Sequence, residues 1–89
     1  MCNEYYGSSW KERITRALEL NGESWDDIEH TPFDEYSLTM SSDPRDDCGY
    51  YVPPEEAAWT KNYVYTIWFE SEEDYYLVVP YLRNPSISP

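Results

Sequence analysis

The feature that most limits the fold is a pair of strand-forming segments in the C-terminal third. Residues 58–69 (AWTKNYVYTIWF) are rich in β-branched and aromatic side chains, and residues 75–82 (YYLVVPYL) share this character. A polar turn at residues 71–74 separates them, so the sequence predicts an antiparallel hairpin. Pro80 has no backbone N–H to donate, which places it at a sheet edge or at the end of a strand.

Alternation within residues 58–69 predicts which side chains face the core. Successive side chains of a strand point to opposite faces of its sheet. The positions of one parity, which we expect to face the core, are Trp59, Tyr63, Tyr65, Ile67 and Phe69. Val64 and Trp68 belong to the other parity and are expected to lie on the exposed face, together with Val78.

The N-terminal part carries a strong helix signal over residues 10–20. Ser9 and Glu12 have the spacing of a capping box. Trp10, Ile14, Ala17 and Leu18 follow at positions that share one face of a helix. Asn21-Gly22 then supplies a C-terminal stop.

The middle of the chain is less regular. A second capping box at Ser24–Asp27 predicts a short helix through His30, which Thr31-Pro32 ends. Residues 33–40 fit both strand alternation and helical spacing, and residues 41–56 contain many turn formers and predict a long acidic loop. The predicted fold class is α+β over one domain, residues 1–89: an N-terminal helix packed on a small antiparallel sheet built around the C-terminal hairpin, with residues 1–8 and 84–89 loose.

The charge of the chain is unevenly distributed. The sequence has 18 acidic and six basic residues and a net charge of -12. Eleven of the acids lie between Glu23 and Glu56 and four between Glu70 and Asp74, whereas the first 22 residues are balanced. Such acidity alone is typical of disorder, but 18% aromatic residues predict a folded domain. The field attracts basic surfaces and opposes direct binding to nucleic acid or to anionic membranes.

Catalytic and cofactor sites are not predicted. The adjacent carboxylates at 26–27, 46–47 and 72–74 are expected to be solvated, whereas acid–base catalysis needs carboxylates in different environments. His30 is the only histidine, and its acidic neighbours make it a poor general base. Two cysteines and one histidine do not make a tetrahedral zinc site, and the acids near Gly49 lack the alternation of a calcium loop. We therefore expect no metal, no cofactor and no enzyme activity.

The expected location is the cytoplasm. The N-terminal residues lack a basic region followed by an apolar run, and no apolar stretch is long enough to cross a membrane. Cys2 and Cys48 are expected to be free thiols.

The acidic surface leaves two interpretations open. In the first, the acids only keep the protein soluble. In the second, the carboxylates occupy the places of nucleic-acid phosphates in a basic cleft of another protein, and tyrosines pack beside the ion pairs. The predicted partner-binding residues are Asp26, Asp27, Glu29, Asp34, Glu35, Asp43, Asp46, Asp47, Tyr50, Tyr51, Glu72, Glu73 and Asp74. The alternative is an interaction module or adaptor that uses the exposed aromatic face of the sheet.

In size, charge and aromatic content the chain resembles the small acidic proteins that phages use against bacterial defences, including DNA-mimic anti-restriction and anti-CRISPR proteins. The segments ESWDDI (23–28), WTKNYVY (59–65) and VPYLRNP (79–85) also resemble those of short uncharacterised phage and prophage proteins. The resemblance implies a phage origin and no activity. Together with the acidic surface, it leads us to expect a host protein as partner: a CRISPR effector, a restriction enzyme or a repair enzyme with a basic nucleic-acid-binding surface.

Overall fold

The fold consists of a helix packed on a four-stranded antiparallel sheet. A computed structural model describes residues 9–43, 51–69 and 76–83. The elements are helix α1 (Trp10–Leu20), a 3-10 turn (Trp25–Asp27), β1 (Ile28–His30), helix α2 (Glu35–Leu38), β2 (Glu56–Thr60), β3 (Tyr63–Phe69) and β4 (Tyr76–Leu82). The strand order is β1-β2-β3-β4, so each strand pairs with its neighbour in sequence. The predicted α+β class and the C-terminal hairpin, β3–β4, are confirmed.

Helix α1 has the predicted bounds because its cap forms as expected. The Ser9 hydroxyl accepts a hydrogen bond from the Glu12 backbone N–H at 3.2 Å, and the Glu12 carboxylate accepts one from the Ser9 N–H at 3.2 Å. Gly22 follows the helix with φ of 76°, in the left-handed region. The apolar face is buried, as predicted.

The core lies between α1 and one face of the sheet. Trp10 is fully buried, and its ring lies 5.5 Å from that of Tyr76 in β4 and 5.7 Å from that of Phe33. Tyr65, at the centre of β3, is fully buried, and Val78 of β4 packs against the same cluster. The prediction that Val78 lies on the exposed face is therefore wrong: it pairs with Ile67 and shares the core face.

The segment predicted as a single strand over residues 58–69 is two strands joined by a turn at Lys61-Asn62. The Thr60 hydroxyl accepts a hydrogen bond from the Tyr63 N–H at 3.0 Å, and Ala58 pairs with Tyr65. The turn changes the parity, so that Trp59 pairs with Val64 and shares the outer face with it. Tyr63, Tyr65 and Ile67 pack in the core as predicted, whereas Phe69 is 62% exposed near the end of β3.

The prediction of a helix from Ser24 through His30 is also wrong, because the helix that forms is shorter. One 3-10 turn forms, and the Asp27 carboxylate accepts a hydrogen bond from the Ser24 N–H at 2.9 Å. Ile28 then takes an extended conformation and pairs with Thr60, and His30 pairs with Trp59. Pairing with β2 satisfies backbone N–H and C=O groups that a longer helix would have paired within itself.

Between residues 33 and 40 the helical alternative is the correct one, over Glu35–Leu38. Residues 51–55 are irregular, as the loop prediction expects, but Glu56 already belongs to β2. Pro80 lies in edge strand β4, as predicted. The predicted turn at 71–74, the loose termini and both cysteines lie outside the described residues, as do residues 44–50 of the loop.

Candidate partner-binding surface

Five of the predicted contact residues lie on the segment that joins α1 to α2. This segment passes through the 3-10 turn, β1 and the start of α2, which are all short elements. All five side chains are exposed: Asp26, Asp27, Glu29, Asp34 and Glu35. The fold therefore presents five carboxylates to solvent within ten residues of chain, and we call this set the acidic segment.

Two carboxylates of the acidic segment also hold the backbone. Asp27 closes the 3-10 turn onto Ser24, and the Asp34 carboxylate accepts a hydrogen bond from the Ser37 N–H at 2.7 Å as the N-cap of α2. The bond from the Ser37 backbone, and after it the Ser37 hydroxyl, lowers the pKa of Asp34 below its ordinary value. Hydrogen bonds to the backbone therefore hold both carboxylates in position.

Within the described ranges, Glu29 is the member of the acidic segment that forms an ion pair. Its carboxylate lies 3.3 Å from the Arg83 guanidinium, which also donates to the Thr60 carbonyl at 2.6 Å. Both side chains of the pair are well exposed, at 40% for Arg83 and 59% for Glu29. Asp26 and Glu35 therefore differ from the other three: the described contacts give them neither a cap nor an ion pair.

Two further predicted contact residues are not exposed: Asp43 is buried and Tyr51 is half-buried. Asp43 is 3% exposed, so its side chain offers little surface to a partner. Tyr51 packs its ring 5.3 Å from Phe33, and its carbonyl accepts a hydrogen bond from the Trp10 indole at 3.2 Å. Tyr51 packs against the core and Asp43 offers little surface, so we leave both out of the candidate surface. The remaining predicted contacts lie outside the described residues: Asp46, Asp47, Tyr50, Glu72, Glu73 and Asp74.

Exposed charge is strongly one-sided over the described part of the chain. Four basic side chains are exposed there: Lys11, Arg16, Lys61 and Arg83. Nine exposed carboxylates stand against them: Glu12, Glu19, Asp26, Asp27, Glu29, Asp34, Glu35, Glu55 and Glu56. The folded surface is thus acidic in its own right, as the composition predicts.

His30 lies on β1, and the prediction of a helix end is wrong. Its exposed ring lies 4.8 Å from that of Trp59 on β2. The pair sits on the outer face of the sheet, opposite α1, at the edge formed by β1. His30 therefore contributes to an aromatic surface.

A depression beside Trp68 was missed by the sequence analysis. It is lined by Glu55, Glu56, Thr66, Ile67 and Trp68, and we call it the Trp68 groove. The nearest sequence signal is the pair Pro53-Pro54 just before β2, since proline cannot continue a ladder of backbone hydrogen bonds. The position of Glu56 opposite Thr66 depends on the β2–β3 register, which the sequence does not reveal.

Comparisons with known proteins found no matching family model, no matching curated protein and no matching solved structure. Across residues 9–43, 51–69 and 76–83, no helix has the length and apolar character needed to cross a membrane. The same described residues hold no group of three or more potential metal-ligating side chains.

Proposed function

We propose that this protein is a non-enzymatic inhibitor, of the kind phages encode, that binds the basic nucleic-acid-binding surface of a host protein. The target class is a CRISPR effector, a restriction enzyme or a DNA-repair enzyme. The carboxylates would pair with the lysine and arginine side chains that otherwise hold phosphates. Binding would then exclude the nucleic acid by competition.

The acidic segment is the observation that carries this proposal. Its five exposed carboxylates lie on three short elements that follow one another, which spaces the charges along a folded surface. Hydrogen bonds hold Asp27 and Asp34 in place, so these charges need little further ordering when a partner binds. Long-range attraction would increase the association rate, and close packing would determine the lifetime of the complex.

The test begins with capture of the tagged protein's partners from bacterial lysate at low salt. Each captured protein is purified and its affinity is measured at several salt concentrations, with and without its own DNA or RNA. The proposal expects affinity that falls steeply with salt and nucleic acid that competes with this protein for one site. Binding that resists both salt and nucleic acid would contradict it and favour the adaptor alternative.

Asp26→Lys and Glu19→Lys form a matched pair for this test. Both replace one exposed carboxylate by an ammonium group and change the net charge equally, but Glu19 lies on α1, outside the acidic segment. We expect Asp26→Lys to lower affinity by about threefold to tenfold, mainly through the association rate. Glu19→Lys should change it much less. Equal losses in the two variants would mean that net charge alone attracts the partner.

A further inference from the structure

The Trp68 groove forms where pairing between β2 and β3 stops. The first β2–β3 pair is Glu56 with Thr66, and the Ile67 N–H donates to the Glu55 carbonyl at 2.8 Å. Pro53 and Pro54 precede this point and have no backbone N–H with which to extend the ladder. Trp68 thus lies on β3 just past the last of these contacts, and the exposed residues Glu55 and Glu56 line the same depression.

The indole of Trp68 is held by a chain of hydrogen bonds. Its Nε1–H donates to the Thr66 hydroxyl at 2.7 Å, and that hydroxyl donates to the Val79 carbonyl of β4 at 3.0 Å. The Tyr81 ring lies 6.5 Å from the Trp68 ring. Trp68 is nevertheless 51% exposed. The groove therefore combines a large, oriented aromatic surface with negative charge.

We propose that the Trp68 groove binds an arginine side chain of a protein partner, an inference that rests on the proposed function for the partner's basic character. The guanidinium group is planar, stacks on aromatic faces and pairs with carboxylates through a fixed fork of donors. Trp68 supplies the aromatic face, and Glu55 and Glu56 supply the charge. Lysine matches the charge but not the stacking, so the groove selects arginine over lysine.

The first experiment uses the full-length, isotope-labelled protein and two capped tripeptides, Gly-Arg-Gly and Gly-Lys-Gly, at constant ionic strength. The chain has four tryptophans, and their indole N–H signals report separately in a nitrogen–proton NMR spectrum. We expect the arginine peptide to shift the Trp68 signal in a saturable way. Trp10 is fully buried and its signal serves as an internal reference.

Variants then separate stacking from charge. Trp68→Leu removes the aromatic face, and Glu55→Gln with Glu56→Gln removes the charge; binding is followed at the backbone amides of Thr66 and Ile67. Trp68→Leu should weaken arginine binding by about twofold to fivefold, the range for an exposed cation–π contact. The double glutamine variant should weaken it by up to about fivefold for each ion pair lost. Tyr36→Leu is the matched aromatic control, because Tyr36 is 73% exposed on α2, far from the groove in sequence.

Four results would overturn the inference. The first three are a Trp68 signal that does not move, equal responses to the two peptides, and equal weakening by Tyr36→Leu. A Trp68 signal that shifts with protein concentration alone would assign the groove to a second copy of the chain, which also overturns it. Because the peptides are tested without any host protein, arginine binding can fail while salt-sensitive capture succeeds. If the arginine peptide binds but no partner is captured in a salt-sensitive way, the proposed function is contradicted and the inference about the groove stands.

Discussion

The hydroxyl of Tyr65 donates a hydrogen bond to the carboxylate of Glu23 at 2.5 Å, which links the segment after α1 to the inner strand β3. Thr60 donates to the same carboxylate oxygen at 3.0 Å, and the Asn21 amide donates to the Tyr65 hydroxyl at 3.0 Å. Tyr65 and Thr60 are fully buried. One half-buried acidic side chain therefore links two buried side chains, whereas nine of the ten other acids in the described ranges are exposed.

Tyr65→Phe should destabilise the protein by about 1.5 to 3 kcal/mol, the range for a lost hydrogen bond to a charged group. The ring and its packing remain, while the Glu23 carboxylate loses a donor. Urea unfolding followed by circular dichroism measures the change. In the double variant with Glu23→Gln the two losses should not add, because the residues share one network. Additive losses would contradict the coupling.

The same contact gives an expected dependence on alkaline pH. Burial, followed by the hydrogen bond to Glu23, raises the pKa of Tyr65 above its ordinary value of 10.0. A raised folded-state pKa contributes stability that is fully present below pH 10 and is lost as the pH rises further. The free energy of unfolding should therefore fall more steeply above pH 10 in the wild type than in Tyr65→Phe. Parallel curves for the two proteins would contradict this assignment.

At acid pH the protein should lose stability through protonation of Asp34, the N-cap of α2. Because the folded pKa of Asp34 lies below its ordinary value of 3.8, the stability it contributes is present above that pH and is lost as the pH falls through the folded pKa. Asp34→Asn keeps a capping oxygen but does not titrate. Below about pH 4 the wild type should lose stability faster than Asp34→Asn, measured by thermal unfolding at a series of pH values. An unchanged acid slope in the variant would contradict the lowered pKa.

Gly22 should resist substitution for reasons of backbone conformation alone. Its φ is 76°, and a Cβ built there meets nothing within 4 Å, so no steric contact excludes a side chain. We expect Gly22→Ala to cost about 1 kcal/mol and Gly22→Asn to cost less, since asparagine tolerates the left-handed region better. Chemical unfolding of the three proteins measures the order. Equal stability of alanine and glycine would contradict it.

Much of the fold could be predicted because its signals are local. The cap at Ser9, the stop at Gly22 and the apolar spacing of α1 all lie within a few residues of one another. The division between β2 and β3 could not be predicted, because Lys61-Asn62 carries no glycine or proline and the run around it is uniformly strand-forming. The end of the second capped turn depends on pairing between Ile28 and Thr60, which are distant in sequence.

The candidate surface could also be predicted only in part. The sequence identifies which residues are acidic, and the acidic segment is exposed as expected. The capping box distinguishes Asp27 from Asp26, but the sequence does not reveal that Glu29 lies beside Arg83 or that Asp43 is buried. Those differences depend on backbone geometry and on packing between distant segments, as does the pairing that places Glu56 beside Trp68.

Glu29→Gln should separate binding from stability. The pair with Arg83 is exposed, so losing it should change the free energy of unfolding by less than about 0.5 kcal/mol. Arg83 keeps its bond to the Thr60 carbonyl, which holds the end of β4 in place. The change also removes one negative charge from the acidic segment and leaves the Arg83 guanidinium without this carboxylate. Affinity for a captured basic partner should therefore fall, and the salt dependence of that affinity should become shallower. Unfolding in urea and affinity at two salt concentrations test both parts, with Glu19→Gln as the matched control. A large loss of stability would show that Glu29 is a structural residue and would remove it from the candidate surface.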